Sequence, residues 1–110
     1  MGFAVEVSVT FKREARRLQK RYRSLPDDIA GLVQRLVEDP IRGSALGQRC
    51  YKVRLAIRSK GQGKSGGARV ITCIVVVDAK VYLLSVFDES EQATLNDKRL
   101  QDLLDESGLT

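Results

Sequence analysis

Between positions 49 and 69 the chain carries seven basic residues and no acid: Arg49, Lys52, Arg54, Arg58, Lys60, Lys64 and Arg69. Guanidinium and ammonium groups bind phosphate oxygens, and several on one surface stabilise the charge that develops when a phosphodiester is attacked. The spacing favours such a surface. In "CYKVRLAI" strand alternation sets Lys52 and Arg54 opposite Tyr51, Val53 and Leu55. Arg58 follows where the strand ends, and Arg69 opens the next strand, across from them. Repulsion within the cluster destabilises the free fold, and a phosphate backbone relieves it. No histidine occurs in the chain, which excludes Ser-His, Cys-His and His-metal mechanisms and the histidine acid–base pair. Lysine serves as a proton carrier only where neighbouring cations and partial burial lower its pKa.

The segment "IRSKGQGKSGGARVI", residues 57–71, has the outward look of a nucleotide-binding loop. A Walker loop needs a glycine five residues before its Gly-Lys-Ser, a strand in front and a helix behind, so that helix N-terminal amides meet the phosphates. Here position 58 is Arg58, and a strand follows Gly66-Gly67. The nucleotide reading fails on both counts. What remains is a ten-residue basic hairpin, Arg58 to Gly67, in which Lys60 and Lys64 supply charge and four glycines let the backbone approach a partner. An ordinary hairpin tip is the alternative.

The elements that must position these groups read as strand, two helices, three strands and a helix. "FAVEVSVTF" alternates from Phe3 to Phe11 as a half-buried strand. Phe11, Ala15, Leu18 and Tyr22 then recur at helical spacing, with arginines on the opposite face. "SLPDDIAGLVQRLVEDP" starts a second helix with Pro26 and two aspartates, presents Ile29, Leu32, Val33, Leu36 and Val37 as one stripe, and stops at Pro40. The stretch "IRGSALGQR" reads as a loop. "ARVITCIVVV" is apolar on both faces, as a central strand is, and "KVYLLSVF" follows a turn at Asp78-Ala79. The closing helix has Asn96 as N-cap, Leu95 and Leu100 as a staple and Gly108 as terminator. The fold class is α+β, a helical hairpin on a small, mainly antiparallel sheet, in one domain spanning residues 1–110.

Composition narrows the function classes. A second basic block, "KREARRLQKRYR", holds seven cations and one acid, whereas beyond residue 70 three cations face eight acids. Basic patches with an acidic C-terminal end suggest a polyanion on one face; a solvated helix face is the equal alternative for the first block. Cys50 and Cys73 lie in strand-like segments and read as reduced, small apolar core residues without the further ligands of a zinc site. No apolar run approaches the roughly 18 residues of a membrane span. The N-terminus lacks the charge order of a signal peptide, so a cytoplasmic location is expected, with no membrane partner and no cofactor.

The element order, together with "CYKVRLAIRSKGQGKSGGARVI" and "VYLLSVFDESEQATLNDKRLQDLL", resembles the RelE/ParE superfamily of toxins over essentially the whole chain. The glycine-lysine hairpin is most similar to the HigB-like, RelE-type branch. The resemblance implies a RelE-like toxin of a type II toxin–antitoxin system that enters the ribosomal A site and cuts mRNA without a metal. It implies a cognate antitoxin of helix-turn-helix type, with operator DNA reached only through that antitoxin. By the same resemblance Lys52 and Arg54 are the catalytic basic pair, Arg69 is the phosphate-contacting arginine, and Arg58, Lys60 and Lys64 contact RNA or ribosome. Where the family commonly carries a tyrosine and then a cation after the last strand, this chain reads "FDESE": Phe87 lacks the hydroxyl and Glu89 reverses the charge. A toxin that binds without cutting, or a gyrase-inhibiting ParE-like toxin, are the alternatives.

Overall fold

The computed structural model describes residues 2–60, 67–91 and 95–109. Five strands form one sheet in the order β1-β5-β4-β3-β2. They are β1 (Ala4–Val7), β2 (Ser44–Gly47), β3 (Cys50–Leu55), β4 (Ala68–Val75) and β5 (Lys80–Asp88). Only the β1–β5 pairing is parallel. Helices α1 (Val9–Gln19) and α2 (Leu25–Glu38) cover one face and α3 (Asp97–Glu106) packs on the other. No helix among the described residues is long and apolar enough to cross a membrane.

β4 occupies the centre, as its two-sided apolar sequence predicts. Against the helical hairpin it buries Val70, with Val53 and Leu55 of β3, Leu83 and Val86 of β5, and Phe11, Leu18, Leu32 and Leu36 of the helices. Against α3 it buries Ile71 and Cys73 with Cys50, Leu84, Phe87, Leu100, Leu103 and Leu104. Each fully buried leucine stabilises the fold by about 1.5–3 kcal/mol relative to exposure.

Three expectations change. Alternation predicts one strand from Phe3 to Phe11, but the strand ends at Val7 and Val9 is 76% exposed. Ser8 is the reason. Its N–H donates to Leu83 C=O in the last bond of the sheet ladder, and its Oγ accepts from Phe11 N–H at 3.0 Å, capping α1. Phe11 still reaches the core, from a helix. The stretch predicted as a loop contains β2, an edge strand joined to β3 by a tight turn with positive φ at Gln48 and Arg49. The first helix also ends earlier than its stripe suggests, at Gln19, which leaves Tyr22 in the connection to α2. The order of the other elements agrees, and Asn96 caps α3, its side chain accepting from Arg99 N–H at 2.8 Å.

Two buried carboxylates fasten the start of the hairpin to α2 and the end of β5 to the α1–α2 connection. Asp28, 3% exposed at its side chain, accepts from Arg58 Nε at 3.0 Å, from Arg58 N–H at 3.2 Å and from Ser24 Oγ at 2.7 Å. Ser24 Oγ in turn accepts from Ser59 N–H at 2.8 Å. At the other clamp Tyr22 Oη donates to Asp88 Oδ2 at 2.6 Å, while Asp88 Oδ1 accepts from Ser90 N–H and Ser90 Oγ. The hydrogen bond to Asp88, with lesser contributions from burial and the carboxylate's charge, raises the Tyr22 phenol above its ordinary pKa of 10.0.

Asp28→Ala leaves the Arg58 N–H without its partner and is expected to cost about 2 kcal/mol, read as a lower urea midpoint at unchanged slope. The Tyr22 clamp predicts a pH effect of definite sign. The folded state holds the phenolic proton more tightly than the unfolded chain, so the contribution is complete below pH 10.0 and is lost as pH rises through the elevated folded value. Urea midpoints taken on both sides of that pH are expected to fall less steeply in Tyr22→Phe than in the wild type.

Candidate nucleic-acid interface

β3 and β4 pair without a register shift, and this sets Arg54 opposite Arg69. Ile74 N–H donates to Arg49 C=O, so counting along the ladder makes Arg54–Arg69 a non-hydrogen-bonded pair, the kind whose side chains lie closest, with Cβ atoms about 4.5–5.5 Å apart. On the next strand Arg69 faces Phe87. Arg54, Arg69 and Phe87 therefore form a row across three strands on the α3 face. Lys52, opposite Ile71, stands one row further along. Gly67 allows β3 and β4 to close at this end: a Cβ there would come within 2.4 Å of Leu55 O.

The cations are not left as the sequence window suggests. No acid occurs within residues 49–69, but acids arrive from distant segments. Arg69 Nη2 lies 2.7 Å from Glu89 Oε2, in a half-buried pair whose side chains are 24% and 33% exposed. The Arg58 guanidinium is taken by Asp28, which draws it toward α2 and away from the Arg54–Arg69 row. Lys60 closes a short 3-10 turn, Arg58–Lys60; its side chain and all of Lys64 lie outside the described residues. Arg54 is exposed and, among the described residues, in no ion pair.

The "FDESE" segment acts throughout as a row of carboxylates that holds arginines. Glu89 takes Arg69, Glu91 takes Arg21 at 2.6 Å, and Asp88 stands 3.8 Å from the same Arg21. The Arg21 guanidinium also lies over the Tyr22 ring, 5.3 Å from its centre. Phe87 is 8% exposed and packs with Leu84, Leu100 and Leu103. It is an apolar floor beside Arg69 with no hydroxyl to offer a substrate.

Two arginines that the sequence reading missed stand near Arg54. β2 pairs with β3 only as far as Lys52, and beyond it a cleft of about 410 Å³ opens, lined by Leu32, Arg35, Ile41, Arg42, Val53 and Arg54. Arg42 is matched to Asp39 at 3.3 Å. In the sequence Arg35 looks like the polar side of α2 and Arg42 like a loop charge; the one hint there is an isoleucine between Pro40 and Arg42, which the structure leaves exposed. The face as a whole is suited to a polyanion: guanidiniums fixed by strand register, an exposed Arg54 with no ion pair among the described residues, and one arginine held by a carboxylate that an incoming phosphate can replace.

No family model and no curated protein sequence matches the chain. Solved structures do. The free state of a double arginine-to-alanine mutant of E. coli toxin RelE superposes with a TM-score of 0.62 at 17% identity, covering 98% of this chain and 96% of that one. In the toxin–antitoxin complex RelBE2 from Mycobacterium tuberculosis the corresponding values are 0.60, 20%, 80% and 92%. The intact E. coli RelBE toxin–antitoxin complex gives 0.58, 17%, 76% and 93%. Three helices on a five-stranded, mostly antiparallel sheet, in this order and covering nearly the whole chain, give this protein the fold of the RelE toxins.

Proposed function

We propose that this chain is the toxin of a type II toxin–antitoxin system and acts as a ribosome-dependent mRNA endonuclease. The reading rests on one observation above others: Arg54 and Arg69 side by side on an open sheet face, within the RelE fold. RNA cuts itself when a 2′-hydroxyl is aligned on the neighbouring phosphorus; the new P–O bond forms as the 5′-oxygen leaves and takes up a proton. The protein's part is alignment and charge stabilisation. In this assignment Arg69 and Arg54 grip the scissile phosphate, Lys52 carries a proton, and the hairpin with Lys60 and Lys64 meets RNA or ribosome. No step calls for a metal. An acidic segment of a cognate antitoxin laid over Lys52, Arg54 and Arg69 blocks the RNA and relieves the same repulsion.

The Arg69–Glu89 pair favours a second reading, a toxin-like protein that binds antitoxin or ribosome without cutting. Phosphate competes with Glu89 for the Arg69 guanidinium. A half-buried pair of this kind is worth about 1 kcal/mol, a modest barrier rather than a block.

Cleavage of a translated mRNA by purified protein, with and without ribosomes, decides between them. Ribosome-dependent cleavage by the wild type, reduced by about 10²–10³ in Arg69→Ala while the protein stays folded with its melting temperature lowered by only a few degrees, is the expected result; full activity in Arg69→Ala overturns that residue's role. Glu89→Gln frees Arg69 and is expected to raise the affinity for single-stranded RNA about fivefold at low salt, the equivalent of about 1 kcal/mol. Cleavage that appears only in Glu89→Gln marks the wild type as the binding form.

A further inference from the structure

The cysteines have no part in that phosphate chemistry, and their placement calls for a separate account. Cys50 opens β3, Cys73 lies near the end of β4, and the register sets them opposite each other. The bond from Ile74 N–H to Arg49 C=O, 3.0 Å long, makes Arg49–Ile74 a hydrogen-bonded pair and Cys50–Cys73 the neighbouring non-hydrogen-bonded one. Cα atoms in such a pair are about 4.5 Å apart, inside the roughly 4.4–6.8 Å range that a disulfide spans. Both thiols are free and buried. They converge on one acceptor, Gln48 C=O, at 3.4 Å from Cys50 Sγ and 3.9 Å from Cys73 Sγ. That carbonyl is held in place by the left-handed backbone of Gln48 and Arg49 in the β2–β3 turn.

We infer that Cys50 and Cys73 are a redox modification site, a thiol pair built to close into a reversible intramolecular disulfide between β3 and β4. The two sulfurs are not equivalent. When Cys50 turns its S–H from Gln48 C=O to Cys73, that bond and the nearby Arg49 guanidinium favour the Cys73 thiolate against its burial, whereas the same bond and burial push the Cys50 thiol up. Cys73 is also the more accessible, at 5% against 1%. The oxidant has to be small to enter, and a peroxide meets that condition. Cys73 releases its proton and the thiolate attacks one peroxide oxygen; the O–O bond breaks, and a sulfenic acid forms as the other oxygen takes up that proton and leaves as water. Cys50 then gives up its proton and attacks Cys73 Sγ; the S–O bond breaks and a second water departs. Two thiols lose two electrons and two protons, and hydrogen peroxide becomes two waters.

The bond ties together the strands that carry Lys52, Arg54 and Arg69, yet the inference stands whether or not those residues cut RNA. Wild-type protein is treated with hydrogen peroxide, unfolded, alkylated without reductant and weighed intact. The expected result is a mass lower by two hydrogens, loss of both alkylatable thiols, and a tryptic digest in which the peptide Cys50–Lys52 is joined to Val70–Lys80. Dithiothreitol is expected to restore both thiols. Two alkylated cysteines after peroxide, oxygen added to Cys73 without a link, or links only between molecules would each overturn the proposal.

Discussion

The register of β4 against its two neighbours is the constraint on which everything else hangs. With β3 it runs unbroken from Cys73 to Ala68, and this single alignment fixes both the Arg54–Arg69 pair and the Cys50–Cys73 pair. A slip of one residue would turn each of these side chains through to the opposite face and expose Val70 and Val53. With β5 the alignment shifts once, between Ile71 and Thr72. Near that irregularity Glu14 reaches from α1 to accept from Ser85 Oγ at 2.8 Å and Val86 N–H at 3.0 Å. One carboxylate satisfies the backbone where the ladder is interrupted, and joins the first helix to the strand that leads to Glu89.

Charge follows from the same frame. Bringing two arginines to one cross-strand position is unfavourable in a free protein, and the fold offsets it with acids drawn from outside the basic segment. Asp28 from α2 takes Arg58, and Glu89 from the end of β5 takes Arg69. Arg54 keeps its charge, and Arg35 and Arg42 border the cleft beside it. The result is a graded surface: one cation, still exposed, tied to α2 by a buried carboxylate, one held by a replaceable carboxylate, and one in no ion pair among the described residues.

Much of this was legible in the sequence. The helical stripes of α1 and α2, the central character of β4, the cap at Asn96 and the shared face of Lys52 and Arg54 all follow from local periodicity, which sequence records directly. The strand-to-helix switch at Ser8 was harder, because Phe3 to Phe11 satisfies a two-residue period while Phe11, Ala15 and Leu18 satisfy a helical one; the sequence is ambiguous where the two overlap, and a serine cap decides it. β2 escaped because a four-residue edge strand with Gly47 and little burial has no apolar alternation. The ion pairs escaped for a more general reason. Arg69 and Glu89 are joined through the folding of β5 beside β4, and Arg58 and Asp28 through the packing of α2, so a count of charges within residues 49–69 describes an isolated segment and not the folded surface.

Both edges of the sheet, β1 and β2, are only four residues long. Because the pairing of β2 with β3 ends at Lys52, the end of β3 shows part of its backbone at the rim, beside Arg54, Arg35 and Arg42. An open strand rim is where two copies of a protein stick together, and positive charge along it is a common guard against this. The arginines here therefore also protect solubility. Any polyanion that neutralises them removes the guard at the same stroke, so the form of the protein most prone to self-association is the one whose charge has just been satisfied, unless the bound chain itself covers the exposed strand.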